Sequence, residues 1–284
     1  MMKYRVLLFS TALLVGSVFT SCNKESGTAE SVMKNVKFGS DAAQAMDVYL
    51  PAGRTSTNTK VIVFIHGGSW SGGDKADFDV NINAIRPQLT DYAIFNINYR
   101  LANIQNQHPA QMEDVQSALD FISAKAAEYK VNANKIALVG ASAGAHLALL
   151  HAYKNSRNGS IKAVVDLFGP TNLTTLYTNH PRPAASQPVL VNFLGTTPSA
   201  NPSKYADASP VNFVSAQSPP TLILHGDADF IVPISQSSTL RVALLGVGAK
   251  VEMHSYIGEG HGWFGNTLTD TYNRTIAFVK ANVQ

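Results

Sequence analysis

The stretch Ile136-Ala137-Leu138-Val139-Gly140-Ala141-Ser142-Ala143-Gly144-Ala145-His146-Leu147-Ala148-Leu149-Leu150 decides how the rest of the chain is read. Its first four residues are a short apolar run, the composition of a buried strand. From Ala145 onward Ala and Leu dominate, and both are strong helix formers. Gly140-Ala141-Ser142-Ala143-Gly144 therefore sits where a buried strand turns sharply into a helix. Gly140 and Gly144 leave room for a tight turn with a strained backbone at Ser142. Such a turn lifts the serine hydroxyl above the strand ends and aims the helix N-terminus at it. Free amides there stabilise a developing oxyanion.

Upstream, Lys60 to Ile65 is a continuous apolar run, typical of a strand buried on both faces of a parallel sheet. It ends in His66-Gly67-Gly68-Ser69-Trp70. Two short strands are expected over residues 32–38 and 46–50, a helix weakened by Pro87 over 77–90, and a strand over 92–99. Pro109 opens a long helix in which Met112, Val115, Leu119, Ile122, Ala126 and Tyr129 recur every three or four residues as one buried face.

Downstream, strands are expected over 161–168, 220–225 and 250–257, with helices over 145–152, 234–245 and 271–282. Strands and helices thus alternate from Lys60 onward. This is the signature of an α/β chain with a mostly parallel, doubly wound sheet and helices on both faces. Residues 171–218 break the pattern and hold Pro181, Pro183, Pro188, Pro198, Pro202 and Pro210. They are read as a small cap insertion over the sheet's active edge, with apolar residues such as Phe193 and Leu194 placed at the pocket mouth.

Composition bounds the function. With 45% hydrophobic and 14% charged residues, the 284-residue chain is globular and long enough for one large α/β domain. Setting aside Lys3 and Arg5, in a segment expected to be removed, leaves 22 − 2 = 20 basic against 19 acidic residues. The sequence pI of 8.9 therefore gives no case for nucleic acid as a partner.

Lys3 and Arg5 precede the apolar stretch Val6 to Phe19, too short to span a membrane. Residues 1–21 read as a signal peptide. The stretch ends in Phe19-Thr20-Ser21-Cys22, which resembles a bacterial lipobox with Phe19 where Leu is usual. Cys22 is the only cysteine of the chain, so no intramolecular disulfide and no cysteine metal site is expected. The resemblance implies lipidation at Cys22 and export to the cell envelope, at the outer membrane or surface of a bacterium, while the polar residues after it read as a tether over 22–31 that leads into one globular domain over 32–284.

A serine hydroxyl needs a base to take its proton, and the base needs an orienting acid. After Ser142 the chain offers Asp227, Asp229 and then His261, in loops that follow expected strands. Ligands of open α/β sheets bind at such carboxyl ends. His66 and His225 end strands and are read as bracing their loops. His146 and His151 ride the helix after Ser142. Trp70, Trp263 and Phe230 either pack in the core or line the site.

Five stretches in this order, His66-Gly67-Gly68-Ser69-Trp70, Asn98-Tyr99-Arg100, Gly140 to Gly144, His225 to Pro233 and Gly260-His261-Gly262, resemble α/β-hydrolase serine esterases and lipases. The resemblance is to the hormone-sensitive-lipase-like group and the bacterial feruloyl and acetyl esterases, and it covers roughly 47–280. It implies a carboxylesterase acting through an acyl-enzyme on small-molecule or polysaccharide-linked esters. Ser142 would be nucleophile, His261 base and Asp229, the Asp of D-x-x-V-P, the orienter. Gly68, Ser69 and Ala143 would form the oxyanion hole, with Ser69 standing where a third Gly is common. No cofactor or metal is implied. A prolyl-oligopeptidase-like peptidase shares D-x-x-V-P and G-H-G, but that family carries a large propeller and only residues 1–59 precede Lys60 here. An arylformamidase shares H-G-G-x-W. A non-catalytic binding lipoprotein on the same fold would lack a triad member, and no member is missing.

Overall fold

The computed structural model describes residues 28–155 and 159–284. The expected signal peptide, 1–21, and Cys22 lie outside them. Glu30 pairs with Arg86 at 2.8 Å, and Ser31, the end of the stretch read as a tether, already begins the first strand.

Among the described residues eight strands form one sheet: β1 (Ser31–Lys37), β2 (Ala45–Leu50), β3 (Lys60–Ile65), β4 (Tyr92–Ile97), β5 (Ile136–Ala141), β6 (Ile161–Leu167), β7 (Thr221–Gly226) and β8 (Val251–Tyr256). Their order is β1-β2-β4-β3-β5-β6-β7-β8, with the β1–β2 and β2–β4 pairings antiparallel and the other pairings parallel. The helices are α1 (Asp79–Ile85), α2 (Ala110–Ala124), α3 (Ala126–Tyr129), α4 (Ala143–Leu150), α5 (Leu173–Thr178), α6 (Pro183–Leu194), α7 (Pro202–Asp207), α8 (Ser235–Gly246) and α9 (Gly265–Asn282).

The continuous apolar runs of β3 and β5 split residue by residue between two cores. Val61, Val63, Ile65 and Leu138 face α2 and α4, while Ile62, Phe64, Ala137 and Val139 face α1 and α9. A strand alternates its side chains, so only a layer on each face can bury such a run.

Three boundaries differ from the expectation. The helix expected over 77–90 is the seven-residue α1 flanked by tighter turns at Lys75–Phe78 and Arg86–Gln88. The long helix breaks at Lys125 between α2 and α3 and stops at Lys130, whose φ is 53°. The last helix starts at Gly265, six positions before Thr271. Gly265-Asn266-Thr267 is weak in helix propensity. Tertiary bonds supply what is lacking: Thr267 Oγ1 donates to Glu259 Oε1 at 2.7 Å and Trp263 Nε1 to Thr271 Oγ1 at 2.7 Å.

The stretch 171–218 folds as α5, α6 and α7 between β6 and β7. Its apolar residues divide. Leu176, Val189 and Leu190 border a cavity above Ser142. Phe193 and Leu194 do not line it. They are fully buried in the core, with Phe193 stacked on Trp70 at 4.3 Å, which corrects their placement at the pocket mouth. Trp70 covers Phe193: its indole stacks on that ring and itself lines the cavity.

Candidate active site

Ser142 stands between β5 and α4 with φ 53° and ψ −119°, a conformation that costs free energy for any residue with a Cβ. The turn is held by close approach. A Cβ on Gly144 would overlap the carbonyls of Ile65 and His66, and one on Gly140 would overlap Gly144. Gly144 is thus fixed by backbone contact with the end of β3, and Gly140 by the start of α4 within the elbow itself. The Ser142 N–H donates to Leu167 O at 2.8 Å.

β7 and β8 bring the other two groups to the same edge. Ser142 Oγ lies 2.9 Å from His261 Nε2, and His261 Nδ1 lies 2.6 Å from Asp229 Oδ2. The carboxylate demands a donor at Nδ1, which leaves Nε2 to accept the serine proton. The ring is also packed at 4.6 Å against Phe168, whose own φ is 48°.

The Asp229 side chain is fully buried and fully bonded. Its Oδ1 accepts the N–H groups of Ile231 at 2.8 Å and Val232 at 3.0 Å. Its Oδ2 faces His261 and, at 3.2 Å, His225 Nε2. Burial by itself would raise its pKa. The bonds from His225 and His261, the imidazole charge and the Val232 amide override burial and hold the carboxyl well below the usual range. Asp227, two residues earlier, is exposed and accepts Gly258 N–H at 2.7 Å, so it ties the β7 loop to the β8 loop instead.

The loop after β3 carries three successive positive φ angles: Gly68 at 107°, Ser69 at 55° and Trp70 at 61°. This coil presents Ser69 to the cavity that holds Ser142 and Ala143. Gly68 does not line that cavity. Its carbonyl instead accepts Gly72 N–H at 2.8 Å, and a Cβ there would overlap Gly72. Ala143 opens α4, so its N–H has no carbonyl within the helix to bond.

One support was not legible in the sequence. Trp70 Nε1 donates to His146 Nδ1 at 3.1 Å, and His146 Nε2 lies 2.7 Å from Ala208 O. One imidazole thus ties the β3 loop, α4 and the cap. Burial pushes His146 down to about 3, so it stays neutral. His225 braces its loop as expected: its Nε2 reaches both Asp229 Oδ2 and, at 2.8 Å, Val232 O, while its Nδ1 meets Ser237 Oγ at 2.7 Å. For His146 the available signal was only that a histidine in an apolar run must find partners for both nitrogens.

Chemically, the arrangement lets a hydroxyl pass its proton to an imidazole whose far side is held by a carboxylate. The model of one family, BD-FAE, matches residues 46–244. The chain belongs to the BD-FAE family.

Solved structures agree with this placement. A truncated form of a carbohydrate esterase from gut microbiota is 28% identical, with a TM-score of 0.77 over 89% of this chain and 99% of that one. The bifunctional GH43-CE of Bacteroides eggerthii is 26% identical, with a TM-score of 0.77 over 89% of this chain and 35% of that one. Esterase LipC of Mycobacterium tuberculosis is 27% identical over 249 residues, 81% of this chain and 59% of its own length. The chain spans about half to three-fifths of the curated relatives it matches. This BD-FAE chain is thus an α/β-hydrolase of the hormone-sensitive-lipase-like group, with the mostly parallel sheet and helices of that fold.

Proposed function

We propose that the protein is a serine carboxylester hydrolase that cleaves small acyl esters through an acyl-enzyme. The observation that carries this reading is the unbroken relay from Ser142 Oγ through His261 to Asp229. Ser142 Oγ attacks the ester carbonyl carbon while His261 Nε2 takes its proton. The carbonyl oxygen becomes an oxyanion beside the amides of Ser69 and Ala143, with Gly68 shaping the loop that holds the first. The imidazolium returns its proton to the leaving oxygen, and the C–O bond to the alcohol breaks. Water then repeats the sequence on the acyl-enzyme and frees the acid and Ser142.

Similarity to the gut carbohydrate esterase and the GH43-CE protein supports a carbohydrate-linked alcohol as a second reading. The protein is further read as exported and held at the cell envelope by a lipid on Cys22. This rests on the sequence of residues 1–22 alone.

Two measurements test these readings. Ser142→Ala should abolish p-nitrophenyl acetate hydrolysis and labelling by a fluorophosphonate probe. Retention of either sinks the acyl-enzyme mechanism. Cys22→Ala should move the protein from the detergent phase to the aqueous phase. A wild-type protein already aqueous, with a free Cys22 thiol, removes the anchor.

A further inference from the structure

The loop that carries Asp229 is not anchored by its next two side chains. Phe230 and Ile231 are 57% and 55% exposed, so burial of apolar surface does not hold them. What holds the loop is polar. The N–H groups of Ile231 and Val232 donate to Asp229 Oδ1, and the carbonyls of the same two residues are taken by two imidazoles. His225, at the end of β7, takes Val232 O at 2.8 Å. His180, from the cap, takes Ile231 O at 3.1 Å.

His180 is buried in the stretch between α5 and α6. With Ser142, Phe230 and Ile231 it lines the cap-side cavity of about 160 Å³. Its sequence setting fixes the ring. Neither Pro181 nor Pro183 has an N–H, so Arg182 supplies the one backbone donor of Pro181-Arg182-Pro183. That N–H donates to His180 Nδ1 at 2.9 Å. Nδ1 is then an acceptor, and the ring proton sits on Nε2, facing Ile231 O. A second clip lies beside the first: the Arg182 guanidinium stands 4.8 Å from the centre of the Phe230 ring.

The Ile231 carbonyl and the Val232 N–H are the two polar ends of one peptide unit. The unit is planar and trans, so its C=O and N–H point in opposite directions and turn together. His180 holds one end, and Asp229 Oδ1 holds the other at 3.0 Å. A rotation that frees the carbonyl swings the N–H away from the carboxylate. The other carboxylate oxygen, Asp229 Oδ2, lies 2.6 Å from His261 Nδ1.

We infer that His180 is a positioning residue, a cap imidazole that orients the Ile231–Val232 peptide and through it aims Asp229 at His261. The cap thereby helps to set the relay as well as to wall the cavity. The inference rests on Ser142, His261 and Asp229 forming that relay.

His180→Phe keeps a ring of similar bulk and removes both nitrogens. Measured where each variant is folded by circular dichroism, it should lower kcat about tenfold with KM within twofold. The factor should be the same for p-nitrophenyl acetate and p-nitrophenyl hexanoate. His180→Gln can offer an amide N–H to Ile231 O and an amide oxygen to Arg182 N–H, and should recover kcat to within threefold of wild type. In an Asp229→Asn background, His180→Phe should cost less than twofold more, because groups that act as a unit do not add. His180→Ala removes the same bonds and stands in if the phenylalanine variant does not fold. A folded His180→Phe with kcat within twofold of wild type overturns the inference, as does a His180→Gln no faster than His180→Phe. A loss that differs between the two acyl chains would make His180 a wall of the cavity only, and losses that multiply in the Asp229→Asn background would show that it does not act through Asp229. Failure of the relay itself is separate: it shows as hydrolysis retained by Ser142→Ala.

Discussion

The Trp70 indole N–H donates to Nδ1 of His146 across 3.1 Å, joining the loop after β3 to the first turns of α4. The two groups flank the amides of Ser69 and Ala143, which belong to different segments 74 positions apart (143 − 69). Their spacing depends on this bond and on the Trp70–Phe193 stack.

His146→Leu leaves the Trp70 N–H and the Ala208 carbonyl without their partner. Each orphaned buried group costs about 1–3 kcal/mol. Trp70→Phe keeps the stack but orphans His146 Nδ1. Both variants should lose between tenfold and a hundredfold in kcat on a short ester, since misplacement by about 1 Å can cost that much. A kcat within twofold of wild type, read beside the melting temperature, would show that the strut serves stability alone.

The two acids of the β7 loop separate by what they bond. Asp229→Asn should lower kcat by about 10⁴, as loss of the correct imidazole tautomer does in other triads. Asp227→Asn weakens only the tie to Gly258 and should act on melting temperature. A large kcat loss in Asp227→Asn with a mild one in Asp229→Asn would reverse the assignment.

Cap residues should sort by position. Phe193→Ala opens a void in the core and should cost about 3–5 kcal/mol of stability. Val189→Trp intrudes into the cap-side cavity and should shift the preference among p-nitrophenyl esters toward shorter acyl chains by about tenfold or more. Chain-length profiles and thermal melts of the two variants check this. A profile shift in Phe193→Ala greater than that in Val189→Trp would contradict it.

Asp166 on β6 makes stability depend on pH. Its Oδ1 accepts Gly169 N–H at 2.7 Å, and among the described residues Oδ2 has no partner. Burial pushes the carboxyl up to about 7, against the Gly169 bond and the His225 charge. In an unfolded chain the value is about 3.9. The folded protein therefore holds a proton here that the unfolded chain releases. The contribution is full below about pH 4 and is lost as pH rises through 7, at up to about 1.4 kcal/mol per pH unit. Asp166→Asn keeps an acceptor for Gly169 and removes the titration. Its melting temperature should drop less than that of wild type between pH 5 and pH 8. Parallel profiles would refute the role of Asp166.

The sequence by itself determined the elements whose signals are local. An unbroken apolar run such as Lys60–Ile65 can be buried only with layers on both faces, so the parallel sheet was readable from composition and spacing. The elbow was equally legible, since the strand before Gly140, the helix after Gly144 and the glycines on either side of Ser142 lie within one short stretch, although the approach that holds Gly144 comes from Ile65 and His66. Tertiary structure decided what depends on distant partners. Asp227 and Asp229 differ by two positions, and only the packing of β7 against β8 directs one to Gly258 and the other to His261. Val189 and Phe193 share one face of α6, yet Trp70, brought from the β3 loop, covers Phe193 and leaves Val189 on the cavity. A helical period places both residues on a face. Which part of that face meets core and which meets the site is set by a side chain 123 positions away in the chain (193 − 70), and no local pattern encodes that.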